Sequence, residues 1–171
     1  MAGEELIDWV DEHDRVLGQV SRARMRAENL MHRCIAVMCL DPAGRVYVHR
    51  RTETKDVYPG LHDAFVGGVV GAGESYDAAA TREIAEELGI VGPIPESLFH
   101  HVYQDAFSRS QTRVYRVLWE GPITHQPSEV AWGDFCSLAE VAAGKLGLAF
   151  VPDGWEVLQR YVELFGTARP A

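Results

Sequence analysis

The stretch at residues 68–90, GVVGAGESYDAAATREIAEELGI, decides how the rest of the chain is read. Its second half carries the marks of a helix over 75–88. Ser75 is placed to cap the first turn, Asp77 lies near the positive end of the helix dipole, and Gly89 follows the last turn. At about 100° per residue, Ala80, Ile84 and Leu88 fall on one stripe that can pack on a sheet. Glu83, Glu86 and Glu87 fall on another, as i, i+3, i+4 neighbours. The second stripe is locally unfavourable: like charges at i, i+4 cost roughly 0.2–0.5 kcal/mol per pair. Glu86 and Glu87 also sit where the dipole repels anions by about 0.3–1 kcal/mol each. Arg82 is the one cation interleaved with them. A solvated acidic face is the plain reading. The other is a divalent cation, because clustered carboxylates offer the hard oxygen ligands that suit Mg²⁺ or Mn²⁺.

The residues ahead of the helix favour the cation. Gly68, Glu74, Arg82, Glu83, Ile84, Glu86, Glu87, Gly89 and Ile90 follow one spacing: Gly, five residues, Glu, seven residues, Arg-Glu, an aliphatic, any residue, Glu-Glu, any residue, Gly, an aliphatic. In all nine specified positions over these 23 residues the chain resembles the Nudix family. The resemblance implies an α/β protein, an α/β/α sandwich around a central mixed β-sheet with a metal-binding loop–helix–loop. It implies Glu83, Glu86 and Glu87 as metal ligands, the backbone carbonyl of Gly68 as another, and Glu74 with Arg82 as a pair bracing the loop against the helix. The implied cofactor is Mg²⁺, with Mn²⁺ as substitute and more than one ion once substrate is bound. The implied reaction is hydrolysis of a diphosphate bond in a nucleoside diphosphate derivative or related organic diphosphate. Metal ions would bridge substrate and glutamates and lower the pKa of a bound water. Glu83 and Glu87 are the catalytic candidates within the helix. Glu129 is the candidate for a base supplied by a loop, as in some relatives, against the plain reading of a surface glutamate.

The flanks carry a second resemblance. Residues 32–37 (HRCIAV), 50–55 (RRTETK) and 58–60 (YPG) are similar to isopentenyl-diphosphate isomerase, which shares the Nudix fold. This implies Arg51 and Lys55 as contacts to the diphosphate, Arg51 by a planar fork. Strand alternation sends Arg50 to the other face. The isomerase chemistry is absent: its catalytic cysteine falls on Gly67, its metal histidines on Val69 and near Met25, and its acidic pair near Gln111 and Arg113. Only His32 matches its histidine set, and a structural histidine at the start of a buried strand is the plain reading there. The nearer likeness is to the isomerase-like branch of bacterial Nudix hydrolases, from near Glu5 to near Lys145. A catalytically silent Nudix nucleotide-binding module and an isopentenyl-diphosphate isomerase stand as the alternative functions. Specificity is expected from residues 100–113, with His100, His101, Tyr103 and Phe107, and from the surroundings of Trp132.

The 171 residues read as one domain, 1–171, with a core over about 30–145, an appended N-terminal strand and a C-terminal helix. Strands are expected at 6–10, 34–40, 46–50, 98–103, 114–119 and 130–135, with 34–40 and 46–50 forming a hairpin about a turn at 41–44. A helix or loop is expected over 20–30, a loop over 55–62, and helices at 137–143 and 155–165. Hydrophobic residues at 47% and charged residues at 24% describe a globular chain. The formal charge of −9 speaks against nucleic acid or an anionic membrane as partner. No signal peptide is visible, and no apolar run approaches the ~20 residues of a membrane helix. Cys34, Cys39 and Cys136 lack Cys-x-x-Cys spacing and read as reduced thiols of a cytoplasmic protein. The expected partner is a small-molecule diphosphate, and a homodimer is compatible with the sequence.

Overall fold

A computed structural model describes residues 4–171. Its centre is β3 (His32–Leu40), a nearly continuous apolar run buried on both faces. Ile35, Val37 and Cys39 enter one core, and Ala36, Met38 and Leu40 enter the other. Period-two alternation therefore divides one strand between two hydrophobic layers. Helix α2 (Tyr76–Leu88) covers the first layer through Ala79, Ala80, Ile84 and Leu88. Helix α4 (Pro152–Phe165) covers the second through Val157, Leu158 and Tyr161, joined by Leu138 and Val141 of the short α3 (Leu138–Ala142). The result is the expected α/β/α sandwich.

Strand β3 pairs in parallel with β8 (Arg109–Leu118) and antiparallel with β6 (Val66–Val69), and β7 (Glu96–Gln104) lies outside β8. Strand β4 (Val46–Arg51) pairs antiparallel with β9 (Val130–Cys136) and with the two-residue β5 (His62–Asp63). A hairpin of β1 (Leu6–Val10) and β2 (Val16–Ser21) meets β3 at Trp9 and His32, and α1 (Arg22–Glu28) follows it.

The expected hairpin of β3 and β4 opens at once. The two strands pair only at Leu40 and Val46, since β4 turns to β5 and β9 while β3 takes β6 and β8. The sheet splits there, and the split makes room for a cleft. Strand β2 lay hidden in the sequence because Val16, Leu17 and Gln19 are exposed, which leaves no alternation to read. Strand β5 occupies the end of the expected 55–62 loop. Helix α4 begins three residues before Trp155, at Pro152, whose fixed φ suits a first helical turn. The three cysteines are free thiols. Among the described residues no helix is long and apolar enough to cross a membrane.

The α4 layer is expected to be held by burial of single side chains. Leu158→Ala should lower the urea-unfolding free energy by about 2–5 kcal/mol, whereas half-exposed Leu164→Ala should change it by less than about 0.5 kcal/mol. Equal effects would show that α4 is not docked as described.

Candidate functional site

Local chemistry places α2. Ser75 Oγ accepts from Ala78 N at 3.1 Å, and Gly89 ends the helix in the left-handed region at φ 68°. Arg82 then organises the acids around it. Its Nε and Nη2 donate to the two carboxylate oxygens of Glu74 at 2.9 and 3.0 Å, while Nη1 donates to Glu83 at 2.7 Å and reaches Glu86 at 3.4 Å. Glu74 also accepts from Gly71 N at 2.9 Å, so the loop is tied to the helix. The Arg82 fork holds the Glu74 carboxyl below its ordinary range.

The three helix glutamates do not share one environment, as a uniform acidic face would require. Glu86 is half exposed and leans on Arg82. Glu83 lies against β6, where a side-chain carbon added at Gly68 would overlap its carboxylate. Burial pushes the Glu83 carboxyl up, against the pull of Arg82. Glu87 is 5% exposed, and no hydrogen-bond donor acts on its carboxylate. Burial, then the charge of Glu83, push it up to about 7.

A loop brings Glu129 to the same place. Thr124 N and Gln126 N donate to the carbonyls of Leu88 and Glu87 at 3.0 and 3.1 Å, using the open C-terminal end of α2. Thr52 N donates to Glu129 O at 3.2 Å, and the Tyr47 hydroxyl bonds His125. Glu129 pairs with Lys55, and both line one polar cavity with Glu83, Glu86, Glu87, Gly68 and Arg22. Burial and the nearby Arg51 lower the Lys55 pKa. Arg51 stands one cleft away, where its Nε and Nη2 donate to Val57 O at 3.1 and 2.9 Å.

Among the described residues, no three carboxylate, imidazole or thiol groups converge on one point. Arg82 engages two of the helix acids, Glu83 and Glu86. The donor set nonetheless fits a hard divalent cation: five carboxylates, Glu5, Glu83, Glu86, Glu87 and Glu129, line one cavity, and one of them, Glu87, is buried without a donor. A buried charge left so is costly until a cation arrives.

A second cleft, open to solvent, adjoins this cavity along β6. The two share Arg22, Lys55, Gly67, Gly68 and Val69 as walls. His32, Tyr103, Ser108 and Thr112 line this cleft, so part of the expected specificity segment does reach it. His100 and His101 line neither cavity; His100 bonds Gln111, and His101 Nε2 lies 2.9 Å from Glu156. Phe107 is 76% exposed, and Trp132 faces outward as well. Met25 is core and Gln111 is buried. The sequence reading missed Arg22, Gln126, Asp63 and Asp153 as lining residues. Only the fold brings them in, and no local spacing marks them.

Residues 30–161 match the NUDIX domain family. The chain is 49% identical over 172 residues to an uncharacterized Nudix hydrolase of Streptomyces coelicolor, covering 99% of this chain and 94% of the relative. The crystal structure of DR0079 from Deinococcus radiodurans is similar, with a TM-score of 0.79 and 28% identity over 91% of this chain and 98% of that one. The Nudix domain of Shewanella oneidensis NrtR, solved with ADP ribose, shares the fold at a TM-score of 0.63 and 19% identity, covering 85% and 99%.

The burial of Glu87 makes stability depend on pH. A carboxyl raised from 4.5 to about 7 contributes stability on the acid side of 4.5 and loses it as pH rises through about 7. His32 and His49, held low by burial, act in the opposite sense near the ordinary histidine range, so a difference is the clean measurement. Metal-free wild type should lose stability relative to Glu87→Gln as pH rises from 4.5 to about 7, by at most about 1.4 kcal/mol per pH unit, and level off above that. Thermal melts of the two proteins at matched pH test this, and parallel curves would refute it.

Proposed function

Because the chain belongs to the Nudix hydrolases, enzymes acting on phosphorus-containing anhydrides, we propose that it is a Mg²⁺-dependent pyrophosphohydrolase opening a diphosphate bond in a nucleoside diphosphate derivative or related organic diphosphate. One observation carries this reading: the unpartnered Glu87 carboxylate is buried in a cavity that Glu83, Glu86 and Glu129 also line. Glu83, Glu86, Glu87 and the Gly68 carbonyl would hold Mg²⁺, or Mn²⁺ in its place, with more than one ion in the substrate complex; bound metal supplies charge neutralisation and a more acidic water.

The remaining work falls to the chain itself. Lys55 offers a compact positive charge to a phosphate. Arg51 has spent Nε and Nη2 on Val57 and keeps Nη1 for a phosphate oxygen. Arg22, bonded to Glu5 at 3.0 Å, adds charge at the junction of the two cavities. Glu129 takes the proton of the attacking water, and Lys55 and the bonds that the loop's Thr124 N and Gln126 N donate to α2 carbonyls hold it in place. Glu74 and Arg82 touch no substrate; they fix the loop and keep Glu83 facing β6. The ADP ribose held by the Shewanella domain supports a nucleoside diphosphate derivative as substrate class. The free cysteines support a reducing compartment, the cytoplasm.

With Mg²⁺ and a panel of nucleoside diphosphate derivatives, product mass should show a monophosphate. Glu87→Gln should lower kcat by at least about a hundredfold, with the fold intact by circular dichroism. A panel that yields no product, with no detectable Mn²⁺ binding, would leave a silent binding module. Glu129→Gln should lower kcat by about a hundredfold and remove the acid limb of its pH profile. An unchanged profile would withdraw the base from Glu129.

A further inference from the structure

Behind the glutamate cavity, the second cleft carries two kinds of polar group. Cations stand where it joins the metal side: Arg22 and Lys55 belong to both cavities, and Arg51 is beside them. Acceptors from three separate elements line it: His32 from β3, Asp63 from β5 and Asp153 from the first turn of α4.

Each acceptor has an atom left over. His32 is 2% exposed, and its Nδ1 lies 3.0 Å from Leu30 O. A carbonyl only accepts, so Nδ1 carries the proton and Nε2 keeps a lone pair without a protein donor. Asp63 is 7% exposed and spends Oδ1 on Phe65 N at 3.1 Å. Asp153 spends Oδ1 on Gly154 N at 2.9 Å. Gly154 lies so close to Asp63 that an added side-chain carbon would overlap the Asp63 carboxylate. The two acids therefore sit together, and burial, with the charge of Asp153, pushes the Asp63 carboxyl up. Arg26 Nε, buried in the same cleft, has no hydrogen-bond partner, with Asp56 no nearer than 3.7 Å. Buried polar atoms without partners mark a place where something else supplies them.

We propose that this cleft takes the non-phosphate end of the substrate, a sugar or polyol whose neighbouring hydroxyls donate to Asp63, Asp153 and His32 while its diphosphate lies at Lys55 and Arg22. The assignment rests on the hydrolase reading only for the diphosphate. The charges select the class. A cationic end group, such as an ammonium, would share the cleft with four cations, Arg22, Arg26, Arg51 and Lys55, against three aspartates, Asp56, Asp63 and Asp153. A simple alkyl chain would leave the acids unpaired, which is expensive when they are buried. A nucleobase presents its donors in one plane, interleaved with acceptors, whereas these three acceptors come from different elements. Gly67 completes the space. A side-chain carbon there would meet nothing closer than Ile35 O at 3.7 Å, so its lack of a side chain leaves room for ligand and does not serve close packing.

The test compares ADP-ribose and UDP-glucose with isopentenyl diphosphate, which has no hydroxyl, using the full chain and Mg²⁺. KM should be lower for the hydroxylated pair by roughly ten- to a hundredfold. Asp63→Asn and Asp153→Asn should each raise the KM for ADP-ribose by about tenfold, the rise falling mainly on KM and not on kcat. Gly67→Leu, which adds a side chain to the cleft wall and leaves both acids unsubstituted, should do the same and guards against a folding defect at buried Asp63. Equilibrium dialysis of ADP-ribose in the Glu87→Gln background reads binding without turnover. Binding that is lost on adding Asp63→Asn supports the assignment even if no diphosphate is ever hydrolysed, an outcome that would remove only the hydrolase reading. Turnover of ADP-ribose at wild-type KM by all three cleft variants, or a lower KM for isopentenyl diphosphate, overturns the assignment and leaves the hydrolase reading standing. Absence of both hydrolysis and binding overturns both.

Discussion

The site depends on how closely α2 lies against β6. Gly68 has no side chain, so the Glu83 carboxylate occupies the volume where one would be. That approach buries Glu87 one turn further on and turns Arg82 back over the loop to grip Glu74. The apolar stripe of Ala80, Ile84 and Leu88 supplies the burial that holds α2 against the sheet. The carboxylates would separate the two elements if left to themselves. Packing on one face of the helix thus sustains electrostatic strain on the other, and Arg82 relieves part of it at Glu83 and Glu86 but none at Glu87.

The sequence was most legible where local chemistry and packing agree. Ser75, Gly89 and the apolar stripe announced α2 to within a residue, and β3 announced itself as an apolar run. It was least legible where partners are distant. Nothing near Val46 says that β4 leaves β3 for β9, since strand pairing depends on residues about ninety positions away. Helical geometry put three glutamates on one stripe, yet their burial depends on β6 and the Glu129 loop, so the difference between exposed Glu86 and buried Glu87 was not readable from spacing. Lys55 and Glu129 were separate expectations with separate roles, and only the fold makes them a pair. Asp63 and Asp153 lie in unremarkable local sequence and become neighbours only when α4 docks.

The formal charge of −9 reaches into the site, where five glutamates line the metal-side cavity. Acidic residues prevail in number, while Arg22, Arg26, Arg51 and Lys55 collect around one cleft. A polyanion approaching such a chain meets repulsion at long range and attraction at short range. Salt screens the former over about 10 Å and affects the buried contacts much less.

The C-terminal end of α2 is closed by the loop that carries Glu129, through the bonds from Thr124 and Gln126 to the last helical carbonyls. Helix and loop therefore form one mechanical unit, separate from the residues of β5 and α4 that line the far cleft. Asp63 and Asp153 take no part in those bonds, whereas Lys55, which pairs with Glu129, lines both cavities. In such a scaffold a change at Asp63 or Asp153 alters the far wall alone, while a change at Lys55 or Gly68 alters recognition and bond cleavage together.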